Sequence, residues 1–287
     1  MTNAIITSAP ISNQATSDDQ LIGLWLHGKK ELTRQAYAVD VARFRAAVAR
    51  PLSSVGLGDL QAYADSLAGL GINSQRRYLA SVKSLLTFGQ RVGYLPFNVG
   101  AALRMPQGKD TLAERILSEA EVHRMIALTT GARDSVLITL LYASAGRVAE
   151  VCALTWRDVQ PNRDSGQVTL FGKRDKTRSV RVSRAVWLQL CELRQGAGAA
   201  EPVFRSAKGG HLDASQVWRI VRASAKRAGI AGNVSPHWLR HSHASHALEN
   251  GAPVTWVRDT LGHATLETTS RYAHARPDQS SGMYLAV

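Results

Sequence analysis

The most informative stretch of the sequence is Ser235-Pro-His-Trp-Leu-Arg-His-Ser-His-Ala-Ser-His246. Pro236 suits the first turn of a helix that Ser235 caps. His237 and Arg240 stand three residues apart, so both side chains project from one face of that helix. Because an arginine forks onto two phosphate oxygens and an imidazole donates or shuttles a proton, this pair indicates a phosphate site. The alternative is a capped surface helix without a ligand.

The same helix admits an interpretation as a metal site. His237 and His241 are four residues apart, a spacing that places two zinc ligands on one helix face. No carboxylate lies between them, and only Glu249 is near. We therefore expect no metal here.

A second segment is Leu140-Leu-Tyr-Ala-Ser-Ala-Gly-Arg-Val-Ala-Glu-Val-Cys-Ala-Leu-Thr-Trp156. It is strongly apolar and predicts the end of one helix, then Gly146, then another helix through Trp156. Two charges, Arg147 and Glu150, interrupt it just after Gly146. Burying an arginine is costly unless it is paired or meets an anion. Either the two residues form an ion pair at a helix start, or Arg147 binds an anion and Glu150 orients it.

A third segment runs Leu261-Gly-His-Ala-Thr-Leu-Glu-Thr-Thr-Ser-Arg-Tyr-Ala-His274, where Tyr272 follows His263 by nine residues. A tyrosine hydroxyl has a pKa of about 10, so it is a poor nucleophile without nearby positive charge or a base. Arginines, a lysine and histidines from the other segments supply such surroundings. Tyr142 and Tyr284 are competitors, but Tyr142 falls in an apolar helix and is expected in the core.

Helical periodicity and turn signals divide the chain into two domains. We expect a mainly α fold, with a flexible tail over 1–16, an all-helical bundle over 17–103, a linker over 104–112 and a second domain with a carboxy-terminal tail over 113–287. In the second domain, β-prone segments at 167–171 and 179–183 flank Gly172-Lys-Arg-Asp-Lys-Thr-Arg178, which predicts a hairpin. That domain is otherwise helical, with a small antiparallel sheet.

The composition allows a nucleic-acid partner, an acidic membrane or protein partner, or a solvated basic surface with no partner. The 35 Lys and Arg against 22 Asp and Glu leave a formal charge of +13, which favours binding to DNA or RNA. Cys152 and Cys191 are the only cysteines; both are interpreted as small core residues, consistent with a reducing cytoplasm. The sequence shows neither a secretory signal nor an apolar run long enough to span a membrane.

Together these segments resemble the tyrosine recombinase (phage integrase) family. The matching residues occur in the order typical of the family: Gly146-Arg-Val-Ala-Glu150, Gly172-Lys173, Pro236-His-Trp-Leu-Arg-His241, Leu261-Gly-His263 and Thr269-Ser-Arg-Tyr272. Thr33-Arg-Gln-Ala-Tyr37 and Gly93-Tyr-Leu-Pro-Phe-Asn98 resemble the family's amino-terminal core-binding domain. The resemblance thus covers most of the chain.

The resemblance implies a mechanism. Tyr272 attacks a phosphodiester, forms a 3′-phosphotyrosyl link and releases a 5′-hydroxyl, while Arg147 and Arg240 hold the non-bridging oxygens, with Glu150 behind them. Lys173 protonates the leaving oxygen, although Lys176 in the same turn is an alternative. His237 and His263 serve proton transfer and phosphate binding. Because the phosphotyrosine keeps the bond energy, no ATP, metal or other cofactor is expected.

The resemblance also implies partners. The two domains are expected to clamp double-stranded DNA, and the positions interpreted as DNA contacts in the first domain, rather than as a solvated charged face, are Arg34, Arg76, Arg77 and Lys83. Strand exchange implies a tetramer on two duplexes, built from one chain or from two paralogues. We expect no arm-binding domain before residue 17, and therefore a compact Xer-type or mobile-element recombinase of the cytoplasm rather than a large phage integrase.

Three other functions remain open from the sequence. A type IB topoisomerase shares the chemistry but relaxes supercoils at any site, and the compact two-domain layout favours a recombinase over it. A DNA-binding regulator that has lost catalysis is opposed by the full set of catalytic-type residues. A metal-dependent nuclease would lose its cleavage activity when a chelator is added.

Overall fold

The computed structural model of the chain describes residues 14–109, 111–172 and 177–273. The chain divides into two compact units, Met1–Lys109 and Asp110–Val287. Within the described residues the secondary structure is mainly helical, with one three-stranded antiparallel sheet. The fold class predicted from the sequence is confirmed.

The described part of the first unit, 14–109, contains helices and no strand. Its α-helices are α1 (Asp18–Leu26), α2 (Glu31–Val48), α3 (Leu57–Ser66) and α4 (Ile72–Arg91). The Ser17 side chain caps α1 by accepting a hydrogen bond from the backbone N–H of Gln20. Apolar side chains from all four helices form one core, in which the most deeply buried include Leu21, Phe44, Leu60 and Leu79.

The second unit carries eight further α-helices among its described residues. They are α5 (Glu119–Ala127), α6 (Ala132–Ser144), α7 (Val148–Cys152), α8 (Arg184–Arg194), α9 (Ala214–Arg227), α10 (Pro236–Glu249), α11 (Val254–Leu261) and α12 (Leu266–Ala273). The predicted capping box opens α5, where Ser118 and Glu121 satisfy each other's backbone N–H groups. α6 is central, because most of its side chains between Val136 and Leu141 are buried.

The sheet consists of β1 (Val159–Asn162), β2 (Ser165–Phe171) and β3 (Thr177–Val182) in that order. The predicted hairpin is the β2–β3 pair, in which Val168 lies opposite Val180. Its turn contains Lys173 and Lys176, and both predicted candidates lie outside the described residues. β1 was not predicted; it pairs with β2 through Val159 and Val168, and both side chains are buried.

Two predictions about the second unit's core need correction. The helix expected to continue to Trp156 ends at Cys152, and a short 3₁₀ turn over Trp156–Asp158 follows. Cys191 was expected in the core but is exposed, whereas Cys152 is buried. The reason is the amphipathic register of α8, which turns Val186 and Leu190 inward and the next residue outward.

Among the described helices none is both long and apolar enough to cross a bilayer.

Candidate active site

Helix α10 places a buried arginine between the ends of two other helices. Arg240 is 5% exposed, and its guanidinium donates hydrogen bonds to the carbonyl oxygens of Ala145 and Leu261. These carbonyls lie at the carboxy-terminal ends of α6 and α11, where backbone acceptors lack helical partners and carry partial negative charge. Burial, and then the nearby positive charge of Arg147, lowers the pKa of Arg240 to about 10. Arg240 therefore stays charged at neutral pH.

A tight turn between α6 and α7 presents Arg147. Ala145 adopts a left-handed conformation with φ 48°, and a Cβ on Gly146 would lie 2.6 Å from Cγ2 of Val151. Only glycine fits this approach of two helices. The turn leaves the Arg147 side chain 39% exposed at the start of α7.

The carboxylate of Glu150 fixes Arg147 in place. It accepts from the backbone N–H of Arg147 at 2.8 Å and from its guanidinium at 2.9 Å. Burial opposes ionisation of Glu150, but hydrogen bonds from Arg178 and Arg147 outweigh it and lower the carboxyl pKa. The predicted ion pair is present and leaves Arg147 half-exposed, while anion binding by Arg147 stays a prediction.

Arg178 on β3 is a residue that the sequence interpretation did not select. Its guanidinium donates to both oxygens of Glu150, at 3.0 and 2.7 Å. Its Nε donates to the carbonyl oxygen of Thr260 at 2.7 Å. Since its side chain is only 12% exposed, Arg178 is an internal brace between α7 and the end of α11. An arginine in a β-prone hairpin gives no sequence signal for this role, because its partners lie far away along the chain.

The turn after α11 presents His263. Gly262 ends the helix with φ +63°, a conformation that glycine adopts without strain. The ring Nδ1 of His263 lies 3.0 Å from Oγ1 of Thr269. Burial, and then the positive charge of Arg240, lowers the pKa of His263 to about 4, so this imidazole is neutral at pH 7.

Tyr272 on α12 lies inside the same cluster. It is 7% exposed and packs with apolar residues of α10 and α11, among them Ala244 and Leu261. Its hydroxyl lies 2.8 Å from Nδ1 of His241, and its ring is stacked on that of His263 with centroids 6.3 Å apart. Burial raises the pKa of Tyr272, and the positive charge of Arg240 partly opposes this rise. The hydrogen bond to His241 was not anticipated, since the helical spacing had linked His241 only to a possible metal.

An open cleft of about 1000 Å³ in the second unit is lined by part of this cluster. Its lining includes Arg147, Arg178, His237, His263 and Gly172. Burial, and then Arg240, lowers the pKa of His237. The cleft thus combines permanent positive charge with neutral imidazoles, a combination that binds an anion and exchanges protons with it. Lys173 follows the lining residue Gly172 in sequence.

The four basic residues singled out in the first unit differ in their surroundings. Arg34 is exposed and pairs with Glu31, and Arg76 is exposed. Arg77 pairs with the fully buried Asp40 and lies 4.3 Å from the ring centre of Tyr78. Lys83 is half-buried and donates to the carbonyl oxygen of Leu103.

The histidines of α10 do not assemble into a metal site in the described part of the chain. In residues 14–109, 111–172 and 177–273, no group of three or more His, Cys, Asp or Glu side chains is arranged to hold a metal ion.

Comparison with known proteins gives one consistent result. Residues 114–279 match the model of the phage integrase family. Tyrosine recombinase XerC of Xylella fastidiosa strain M23 is 35% identical over 236 residues, which cover 79% of either chain.

Two solved structures have the same fold as this chain. XerH recombinase bound to its difH substrate superposes with a TM-score of 0.72 at 19% identity, over 96% of this chain and 86% of XerH. A lambda integrase tetramer bound to a Holliday junction gives a TM-score of 0.73 at 15% identity, over 91% of this chain and 78% of the integrase.

Proposed function

The chain belongs to the phage integrase family and is a site-specific tyrosine recombinase, and we propose that it cuts and rejoins DNA through a covalent bond between Tyr272 and a 3′-phosphate. One observation carries the proposal. Arg147, Arg240, His263 and Tyr272 come from three segments far apart in the sequence, yet their side chains form one cluster. An attacking phenol and the cations that a phosphodiester needs are therefore together.

Arg147 and Arg240 hold the non-bridging oxygens of the scissile phosphate, where negative charge grows in the transition state. A guanidinium has five N–H donors. Arg240 uses two of its nitrogens on backbone carbonyls, and the remaining N–H groups are left for the phosphate. Arg147 is held through one nitrogen by Glu150, which leaves its other edge for the cleft.

The neutral histidines donate hydrogen bonds to the phosphate, and a lysine protonates the leaving group. His237 and His263 donate hydrogen bonds to the phosphate, and its negative charge raises their pKa values when DNA binds. Lys173 protonates the leaving 5′-oxygen, supported by its position directly after Gly172 on the cleft lining. Since the phosphotyrosine preserves the energy of the broken bond, the reaction needs neither ATP nor a metal ion.

The residues 17–103 form a core-binding domain that contacts DNA phosphates, followed by a linker over 104–112 and the catalytic domain over 113–287. Exposure supports the contacts assigned to Arg34 and Arg76, and Arg77 is held at the surface of its helix by Asp40. Lys83 reaches a phosphate only if its hydrogen bond to Leu103 is released.

Four protomers act on two duplexes, as in the lambda integrase tetramer named above, and the reaction takes place in the cytoplasm. The two cysteines, which form no disulfide with each other, agree with a reducing compartment.

The experiment that tests this function traps the covalent complex. Purified protein is incubated with fragmented DNA from its source, denatured with detergent, and the DNA that stays attached is sequenced. We expect an adduct that is enriched at one sequence, forms in the presence of a chelator, and is absent from Tyr272→Phe. An adduct of equal yield in Tyr272→Phe would overturn the assignment.

A further inference from the structure

We propose that His241 is a further catalytic residue, which holds the Tyr272 hydroxyl before DNA binds and accepts its proton as Tyr272 attacks the scissile phosphate. This inference rests on the proposed role of Tyr272 as the nucleophile. It adds an acceptor for the phenolic proton to a mechanism in which the arginines, His237 and His263 act on the phosphate and the lysine acts on the leaving oxygen.

The geometry favours His241 over its neighbours. Its Nδ1 lies 2.8 Å from the Tyr272 hydroxyl oxygen, within the range of an O–H···N hydrogen bond in which the phenol donates. His263 stacks on the same phenol ring, but its own Nδ1 is engaged by Thr269 at 3.0 Å. His241 therefore contacts the reacting atom itself.

His241 and the adjacent Arg240 on α10 contact different elements. Arg240 points its guanidinium at the ends of α6 and α11, whereas His241 points its ring at α12. One helix thus fixes both the phosphate ligand and the partner of the nucleophile. The distance between them is set by a rigid element rather than by a loop.

The surroundings of His241 keep its imidazole neutral until the substrate arrives. Charged and titratable groups face it from every element packed against it: Arg115, His237, Arg240, His263 and Tyr272. Burial, and then the neighbouring His237 and Arg240, lowers the pKa of His241 to about 4. A phosphate bound between Arg147 and Arg240 adds a negative charge that offsets these cations and raises this pKa. The base becomes stronger when the DNA is in place.

The protons balance over the reaction. The bond from the Tyr272 oxygen to phosphorus forms as the phenolic proton passes to Nδ1 of His241, and the bond from phosphorus to the 5′-oxygen breaks as Lys173 supplies a proton to that oxygen. Rejoining reverses both transfers. His241 returns its proton to the phenol, and the 5′-hydroxyl gives its proton back to the lysine.

The test compares His241→Asn with the wild type in single-turnover adduct formation at saturating DNA. Asparagine accepts a hydrogen bond from the phenol but does not take up its proton. We expect the rate to fall about a hundredfold, because positioned proton transfer contributes at least this much. The fall of the wild-type rate at acid pH should also disappear in the variant.

The chain offers a matched control on the same helix. His246 is 4% exposed, and its Nδ1 makes the same 2.8 Å contact with the hydroxyl of Tyr142, away from the cleft. His246→Asn removes an equivalent histidine–tyrosine pair, and we expect its adduct rate to stay within about threefold of the wild type. Melting temperature and DNA affinity are measured for both variants.

The outcomes separate the possible roles of His241. A near-normal rate in His241→Asn, or an equal loss in His246→Asn, would show a purely structural contact and overturn the proposal. A faster adduct rate in His241→Asn would show that His241 only restrains the Tyr272 side chain, and this result would also overturn the proposal. If His241→Asn does not fold, His241→Gln is measured in its place, and a near-normal adduct rate in that variant overturns the proposal. An adduct in Tyr272→Phe would instead remove the nucleophile on which the proposal depends.

Discussion

Glu150 is a buried carboxylate shared by two arginines. Only 4% of its side chain is exposed, and a carboxylate at this depth is stable because Arg178 and Arg147 compensate it. The two ion pairs offset the cost of burying the Glu150 carboxylate, and this carboxylate in turn holds Arg147 in position. The two arginines are not equivalent, because Arg178 is nearly buried and Arg147 faces the cleft.

Arg178→Met is expected to lower the free energy of unfolding by about 3 kcal/mol at pH 7, since it leaves a buried carboxylate with one partner. Folding lowers the pKa of Glu150, so its ionised form stabilises the fold above its unfolded pKa and this contribution is lost as the pH falls. The deficit of the variant should therefore shrink below about pH 5, where the carboxyl becomes protonated in the variant. Urea unfolding of the wild type and Arg178→Met over a pH series measures this deficit in the free energy of unfolding.

Arg178→Met with Glu150→Gln is the control for that prediction. If the carboxylate causes the deficit, the double variant is more stable at pH 7 than Arg178→Met alone. An equal deficit at pH 4 and pH 7 would contradict the account.

The choice between Lys173 and Lys176 is decided by a substrate with sulfur in place of the scissile 5′-oxygen. A thiolate leaves without a proton because a thiol is more acidic than an alcohol. We expect Lys173→Ala to be slow on ordinary DNA and to recover on the sulfur substrate, while Lys176→Ala is close to wild type on both. Single-turnover rates give the answer, and recovery confined to Lys176→Ala would reverse the assignment.

Among the elements, the ends of helices organise the site. The last carbonyls of α6 and α11 meet the Arg240 guanidinium, and the turns that follow present Arg147 and His263. The first turn depends on side chains packed closely against Gly146, and the second on the left-handed conformation of Gly262. The loops of the site are therefore positioned by helix termini.

Gly146→Ala tests this dependence. The added Cβ would lie 2.6 Å from Val151, so α7 must shift, and we expect a loss of about 1–3 kcal/mol in the free energy of unfolding. The rate of adduct formation should fall by more than the loss of folded protein explains, because Arg147 moves with α7. The control is Gly210→Ala, where a Cβ meets nothing within 4 Å. Equal rates in the two variants would contradict the account.

The sequence predicted most elements because their signals are local. The capping box of Ser118 and Glu121, and the helical spacing in α4 and α10, depend on neighbours within one turn. β1 was missed because it is four residues long and includes Pro161, which lacks the N–H of a regular strand. Its pairing with β2, rather than its own pattern, makes it a strand.

The candidate site was predictable only in part, for the same reason. The motif residues could be named from the family pattern, but the brace formed by Arg178 joins segments from Glu150 to Thr260. The contact of His241 with Tyr272 likewise joins two helices. Such contacts depend on how the chain packs, and helical spacing alone carries no information about them.

Across the whole molecule, a formal charge of +13 favours DNA. The chain has two compact units, and their arginines differ in location. The second unit places Arg147 and Arg178 on the lining of a cleft, an arrangement that suits a single phosphate. The first unit carries exposed arginines, which suit contacts with several phosphates of the duplex.

Arg76→Ala is expected to weaken DNA binding uniformly over different sequences. Each lost phosphate contact reduces the slope of log affinity against log salt by about one. We expect a smaller change from Lys83→Ala, because its ammonium is engaged by Leu103. Affinity measured by fluorescence anisotropy at several salt concentrations gives both slopes. An unchanged slope in Arg76→Ala would remove this residue from the DNA contacts.

The central claim, that Tyr272 is the nucleophile, is tested most directly by locating the covalent bond. The trapped DNA adduct is digested with nuclease and trypsin, and the peptide that retains a nucleotide is sequenced by tandem mass spectrometry. Trypsin cleaves after Arg271 but not between Arg276 and Pro277, so the expected peptide is 272–287, which contains both Tyr272 and Tyr284. We predict that the fragment ions place the nucleotide on Tyr272. A nucleotide on Tyr142, Tyr284 or any other residue would contradict the account.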